Sequence, residues 1–140
     1  NVLGYGDGLR PDLSNTQLAA EAMYVTGLSG ADEFWKGLAG YVSLCQNSPT
    51  VSPLLEELGI GTSGDWSFRY APNDTRGPEE TSDTGARIWS GYGSMTYAGL
   101  KSLLYARVDR DDPRVKGNFA MNDLFLRYRL PIRNRPARRI

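Results

Sequence analysis

Apolar side chains recur at three- and four-residue steps in four stretches of this chain, whereas the two-residue alternation of a half-buried strand is weak throughout. The first stretch follows "PDLSNTQ" and carries Leu18, Ala19, Ala22, Met23 and Thr26. Ser14 and Gln17 have the S-x-x-Q spacing of a capping box, and Gly27 stands where a helix would stop. A second helix is predicted from Asp32 to Cys45, with Phe34, Leu38, Tyr41, Val42 and Cys45 on one face. A third covers about Ser94 to Arg107, with Met95, Leu100, Leu103 and Leu104 inside. A fourth begins near Asp112 and runs to about Tyr128, before Pro131. Residues 47–90 are polar and turn-rich, with one short helix expected at "PLLEELG", where Pro53 suits a first turn and Gly59 a stop. The fold class expected from these patterns is all-α.

The helices repeat. Shifted by 80 positions, "SNTQLAAEAMYVTGLSGADEFWKG" lies on "SMTYAGLKSLLYARVDRDDPRVKG" without a gap. Ser14 then matches Ser94, Thr16 matches Thr96, Asp32 matches Asp112, and Lys36-Gly37 matches Lys116-Gly117. Each unit is a helix, a short turn and a second helix, which is the signature of stacked helical hairpins. The chain is accordingly divided, within one domain of residues 1–140, into a repeat unit 12–46, an insertion loop 47–90, a repeat unit 92–128 and a basic tail 129–140.

Composition narrows the chemistry. There is no His, which removes the commonest general base and Ser-His-Asp or Cys-His catalysis as usually built. The single Cys45 excludes an internal disulfide and a Cys-rich zinc site, and its place at a helix end suits core packing. No metal or cofactor is expected. The Gly-rich "GYGDG" and "SGYGS" lack the Lys and Ser/Thr of a phosphate loop. No run of 18 apolar residues exists, so no membrane span is predicted. Residues 1–113 hold 8 basic and 15 acidic side chains, a balance of −7, and residues 114–140 hold 8 and 1, a balance of +7. The basic end is expected to be a solvated terminus, with nucleic acid not the expected partner. The sequence opens on "NVLGYGDG" without Met and reads as a fragment with an incomplete N-terminus, leaving its compartment open.

The second helix carries a more specific pattern. Lys36, Gly37, then Tyr41-Val42, then Gln46, with Gly64-Asp65-Trp66 later, resembles the QW repeat of squalene–hopene and oxidosqualene cyclases. "CQN" and "GDWSF" are similar to the corresponding stretch of prenyltransferase β-subunit repeats. "DLSNTQ" and "YGSMTYAGLKSLLYARVDRDDPRVK" resemble bacterial proteins that carry prenyltransferase/squalene-oxidase repeats. The resemblance implies a partial α/α toroid in which Gln46 bonds backbone groups at the next helix start while Trp66 packs over it. It departs from the family pattern at the 17 residues between Gln46 and Gly64, and at Met121, Asn122 and Leu126, which stand in the second unit where Tyr41, Val42 and Gln46 stand in the first.

The same resemblance raises a question about "VDRDDPRVK", where Asp109, Asp111 and Asp112 spell the D-x-D-D acid motif of class II terpene cyclases. That acid must sit protonated in a cavity. Here the three aspartates fall in a turn, Pro113 follows at a first helical position, and Arg110 and Arg114 flank them. They are expected to form a turn and a helix cap, and no residue is expected to be catalytic. Family geometry implies that first helices line the central cavity, making Thr16, Gln17, Trp66, Thr96 and Tyr97 the ligand-cavity candidates. The function implied is a terpene cyclase/prenyltransferase-like repeat protein binding an isoprenoid or triterpene in an apolar cavity. The alternative is a non-catalytic helical-repeat scaffold that binds a protein or glycan through its loops. Two hairpins leave an apolar face open, so self-association, or further repeats, is expected to cover it.

Overall fold

Three side chains start helices by accepting a hydrogen bond from a backbone amide that no helical carbonyl can reach. Asp12 caps α1 (Leu13–Thr26), accepting from the Asn15 amide at 2.9 Å and from Asn15 Nδ2 at 2.7 Å. Ser52 does the same for the short α3 (Pro53–Glu57). Asp112 caps a helix over residues 113–119, here α5. The computed structural model describes residues 4–5, 10–27 and 32–119. The other helices are α2 (Asp32–Leu44) and α4 (Gly93–Tyr105). Helix α1 ends at Gly27, whose φ of +59° is the left-handed stop favoured by glycine.

The hairpins α1–α2 and α4–α5 fall 80 residues apart, as the internal repeat predicts. Helix α1 packs against α4, and α2 contacts both. Leu13, Ala20, Leu38, Val42, Cys45, Met95, Ala98, Leu100, Leu103 and Val115 form one buried core with the fully buried Phe68. The later part of the expected fourth helix and the basic tail lie outside the described residues.

The all-α expectation is overturned by the insertion. Residues 47–90 hold, besides α3, the strands β3 (Ile60–Thr62), β4 (Glu79–Thr81) and β5 (Arg87–Trp89). They form a mixed sheet of order β3-β5-β4, with β3 parallel to β5 and β4 antiparallel to it. Strands β1 (Gly4–Tyr5) and β2 (Arg10–Pro11) pair antiparallel ahead of α1. Three-residue strands are too short to display an alternation, and "EET" has no apolar residue to place inside. A small second core of Leu55, Ile60 and Trp89, flanked by Val51, joins α3 to the sheet.

The expected capping box is also corrected. Ser14 lies inside the first turn of α1, and Gln17 bonds Glu21 at 3.0 Å, so no capping box forms. Asp12, two residues earlier, caps with a carboxylate, a stronger acceptor near a helix N-terminus than a hydroxyl. Ser94 likewise lies within α4, whose N-cap Tyr92 makes no side-chain cap bond. The Tyr92 amide instead donates to the Phe68 carbonyl at 3.3 Å.

Candidate functional site

Asp109 and Asp112 of the D-x-D-D turn are spent on the backbone and on Arg114. Asp109 Oδ1 accepts from the Asp111 amide at 2.7 Å, and the Asp112 amide donates to the Asp109 carbonyl at 3.1 Å. Asp112 Oδ1 accepts from the Arg114 amide at 2.9 Å and from Arg114 Nε at 2.8 Å, while Oδ2 accepts from Arg114 Nη2 at 2.7 Å. The Arg114 guanidinium, with burial opposing it weakly, holds the Asp112 carboxyl below the usual carboxylate range. Asp109 and Asp111 are exposed to solvent. An exposed carboxylate lacks the enclosing cavity that such an acid requires. Asp112→Ala should cost about 1 kcal/mol in a denaturant melt, the usual value of such a cap. Because the folded carboxyl titrates below its ordinary value, that stabilisation is present above about pH 4 and is lost as pH falls through the lowered value.

Gln46 and Trp66 form a brace. Gln46 Nε2 donates to the Arg114 carbonyl in the first turn of α5 at 2.8 Å, and to the Trp66 carbonyl at 3.2 Å. Asn118 Nδ2 reaches the same Trp66 oxygen at 2.9 Å. The Trp66 ring lies so close to Gly117 that a Cβ there would come within 2.5 Å of it. Trp66 takes φ of +63°, a left-handed conformation costly for an aromatic residue, and these contacts hold it there. The brace therefore ties the end of α2 to α5.

Beyond Trp66 the chain runs as a buried plug between the hairpins. The Trp66 amide bonds the Asn47 carbonyl at 2.9 Å, the Asn47 amide bonds the Ser67 carbonyl at 2.8 Å, and the Arg69 amide bonds the Cys45 carbonyl at 2.9 Å. On the other side, the Leu13 amide donates to the Tyr70 carbonyl at 2.7 Å. The Phe68 amide donates to Thr96 Oγ1 at 3.2 Å. This plug divides the five expected cavity residues. Thr16 is buried with its hydroxyl on the Asp12 carbonyl at 2.7 Å, and Thr96 is buried on Phe68. Gln17 is half-buried against Glu21, Trp66 sits on Gly117, and Tyr97 is 65% exposed on α4. The structure does not bring these five together around one cavity.

Arg69 was missed by sequence reasoning and is fully buried. Its Nη1 donates to Asn47 Oδ1 and the Gln46 carbonyl, and its Nη2 to the Leu44 carbonyl, so it closes the C-terminal end of α2. Burial pushes its pKa down. Burial also pushes the neighbouring Cys45 thiol up to about 12. Cys45 should therefore resist a thiol reagent at pH 8 until the chain unfolds, as stopped-flow labelling with and without denaturant would check. The raised value also sets a sign. Stability is full below the unfolded thiol's pKa of about 8.5 and falls as pH rises from there toward about 12, because the unfolded chain releases a proton that the folded chain keeps.

A second place missed from sequence is an open cleft of about 800 Å³ beside "YAPNDTRGP". Arg10, Asp12, Tyr70, Asn73, Asp74 and Arg76 line it, with Leu54 of α3 on its rim. The Arg76 guanidinium stacks 3.7 Å above the centre of the Tyr70 ring. Asp74 accepts from the Arg76 amide at 3.1 Å and from its Nε at 3.2 Å, which keeps that guanidinium charged. The signal in the sequence was the Asn-Asp-Thr-Arg-Gly turn, where Asp74 and Thr75 each bond the amide two residues on.

Among the described residues, no three His, Cys, Asp or Glu side chains are grouped to hold a metal ion, and no helix is long and apolar enough to cross a membrane. Set against known proteins, the chain matches no family model, no curated protein and no solved structure.

Proposed function

We propose that this chain is a non-catalytic helical-hairpin scaffold, of the terpene cyclase/prenyltransferase-like repeat kind, that engages its ligand through the loop face of residues 47–90. One observation carries this. Phe68 and its neighbours fill the space between the hairpins, and the buried Thr16 and Thr96 spend their hydroxyls on backbone atoms there. The concave, polar and accessible surface is the cleft beside Tyr70 and Arg76. In the D-x-D-D turn Asp112 supplies a helix cap and Asp109 and Asp111 stand exposed, in place of a recessed acid.

Incubation of the full chain with squalene, followed by gas chromatography with mass detection, should yield no cyclised product. Asp111→Asn should leave that result unchanged. Cyclised product that disappears in Asp111→Asn would overturn the scaffold function. A second function has one observation in its favour. Leu18 and Val25 on α1, with Tyr97 and Leu104 on α4, stand exposed on the first helices of the two hairpins, apolar side chains that an isoprenoid chain would cover. A polyprenyl alcohol titrated into the labelled chain would then shift the amide signals of those four residues and leave the cleft unchanged.

A further inference from the structure

We infer that the cleft between β2 and the 70–76 loop binds the oxyanion group of a ligand, a carboxylate or a phosphate. This deepens the scaffold function proposed above and rests on it. The inference comes from which hydrogen-bonding groups at the cleft are already spent. Both oxygens of Asp12 are engaged by Asn15 in the first turn of α1, at 2.9 and 2.7 Å. Both oxygens of Asp74 are engaged by Arg76, through its amide and Nε, at 3.1 and 3.2 Å. The carboxylates at the cleft are therefore already partnered.

The donors are not. Arg76 contacts its carboxylate through Nε alone, which leaves the Nη1–Nη2 side of the guanidinium without a partner among the described residues. Arg87 and Arg114 differ, since each gives both Nε and Nη2 to one carboxylate. Arg10 makes no ion pair with a described carboxylate. What the two arginines of the cleft have left to offer is thus donors, and their complement is an oxyanion.

The Arg76 fork is also held in place. Tyr70 supports its face, Asp74 holds its inner edge, and its backbone takes φ of +46°, a conformation non-glycine residues seldom adopt. Stacking and one edge contact orient a planar guanidinium so that little rotamer freedom remains to be lost on binding. A lysine in the same place would present a mobile point charge.

The test is an amide-detected NMR titration of the full chain with inorganic phosphate and, separately, acetate, with chloride holding ionic strength constant. The expected result is a saturable shift confined to residues 70–77 and 10–12. Arg76→Ala and Arg10→Ala should each weaken it about tenfold or more, the loss of one charge-assisted contact. Arg76→Lys should fall between wild type and Arg76→Ala, and Arg87→Ala, outside the cleft, should match wild type. Tighter binding of phosphate points to a phosphate-bearing ligand, and tighter binding of acetate to a carboxylate-bearing one. Shifts that fail to saturate, spread over the exposed Lys and Arg side chains, or persist in a folded Arg76→Ala would overturn the inference. Failure here together with no squalene product leaves the scaffold function standing, whereas squalene cyclisation removes that function whatever the titration gives.

Discussion

Phe68→Ala should lower the unfolding free energy by about 3–5 kcal/mol, the range for emptying a buried aromatic site. The ring is fully buried where the two hairpins meet, so no single helix can collapse to refill its space. Gly99 of α4 gives an independent check. A Cβ built there would clash with the Phe68 ring, so Gly99→Ala overpacks the site and should itself cost about 1–3 kcal/mol. In the double variant, the methyl group introduced by Gly99→Ala enters the volume vacated by the ring. The two costs should therefore sum to more than the double variant loses, with a coupling of about 1 kcal/mol or more in a denaturant-melt cycle. Additive costs would mean that the ring and Gly99 do not share one packing site.

The same contact marks the boundary of what the sequence discloses. Hairpin positions were legible because each helix carries several apolar residues at helical spacing, and because the 80-residue shift checks one hairpin against the other. Asp112 and Pro113 were legible as a helix start, since capping and a proline first turn are local events. The brace from Gln46 to Arg114 and Trp66 was expected only through the family resemblance, its partners lying 68 and 20 residues away. No apolar pattern announced the sheet. Its strands have three residues each, and its clearest signal was the "SDTGA" turn, where the Ser82 amide bonds the Ala86 carbonyl and Gly85 takes φ of +83°. The cavity set failed for a related reason. Thr16 and Thr96 lie on the expected helices, but the amide that takes up the Thr96 hydroxyl comes from Phe68 in the insertion. Helical periodicity reports which face is covered and is silent about what covers it.

Arg69→Met should destabilise the fold by about 2–4 kcal/mol, and the sign follows from a contest between two terms. Burying a guanidinium costs several kcal/mol of lost hydration, and Met would recover that while filling much of the same volume. Against this, the substitution strips donors from the Leu44 and Gln46 carbonyls and from Asn47 Oδ1. Each buried acceptor left unsatisfied costs about 1–3 kcal/mol. The end of α2 also loses the cation that faces its partial negative charge. Arg69 Nε has no hydrogen-bond partner among the described residues, so the native arrangement already carries part of the desolvation cost uncompensated. That narrows the margin without reversing it, because three acceptors lose their donor while one buried charge is removed. Adding Asn47→Leu to Arg69→Met removes one stranded acceptor, and the double variant should regain about 1 kcal/mol or more relative to Arg69→Met alone. If Arg69→Met instead raised the denaturation midpoint, the guanidinium would be a net cost to stability. The bonds from Arg69 to the end of α2 would then serve to fix the path of the plug, and with it the position of Tyr70 beneath Arg76 at the cleft.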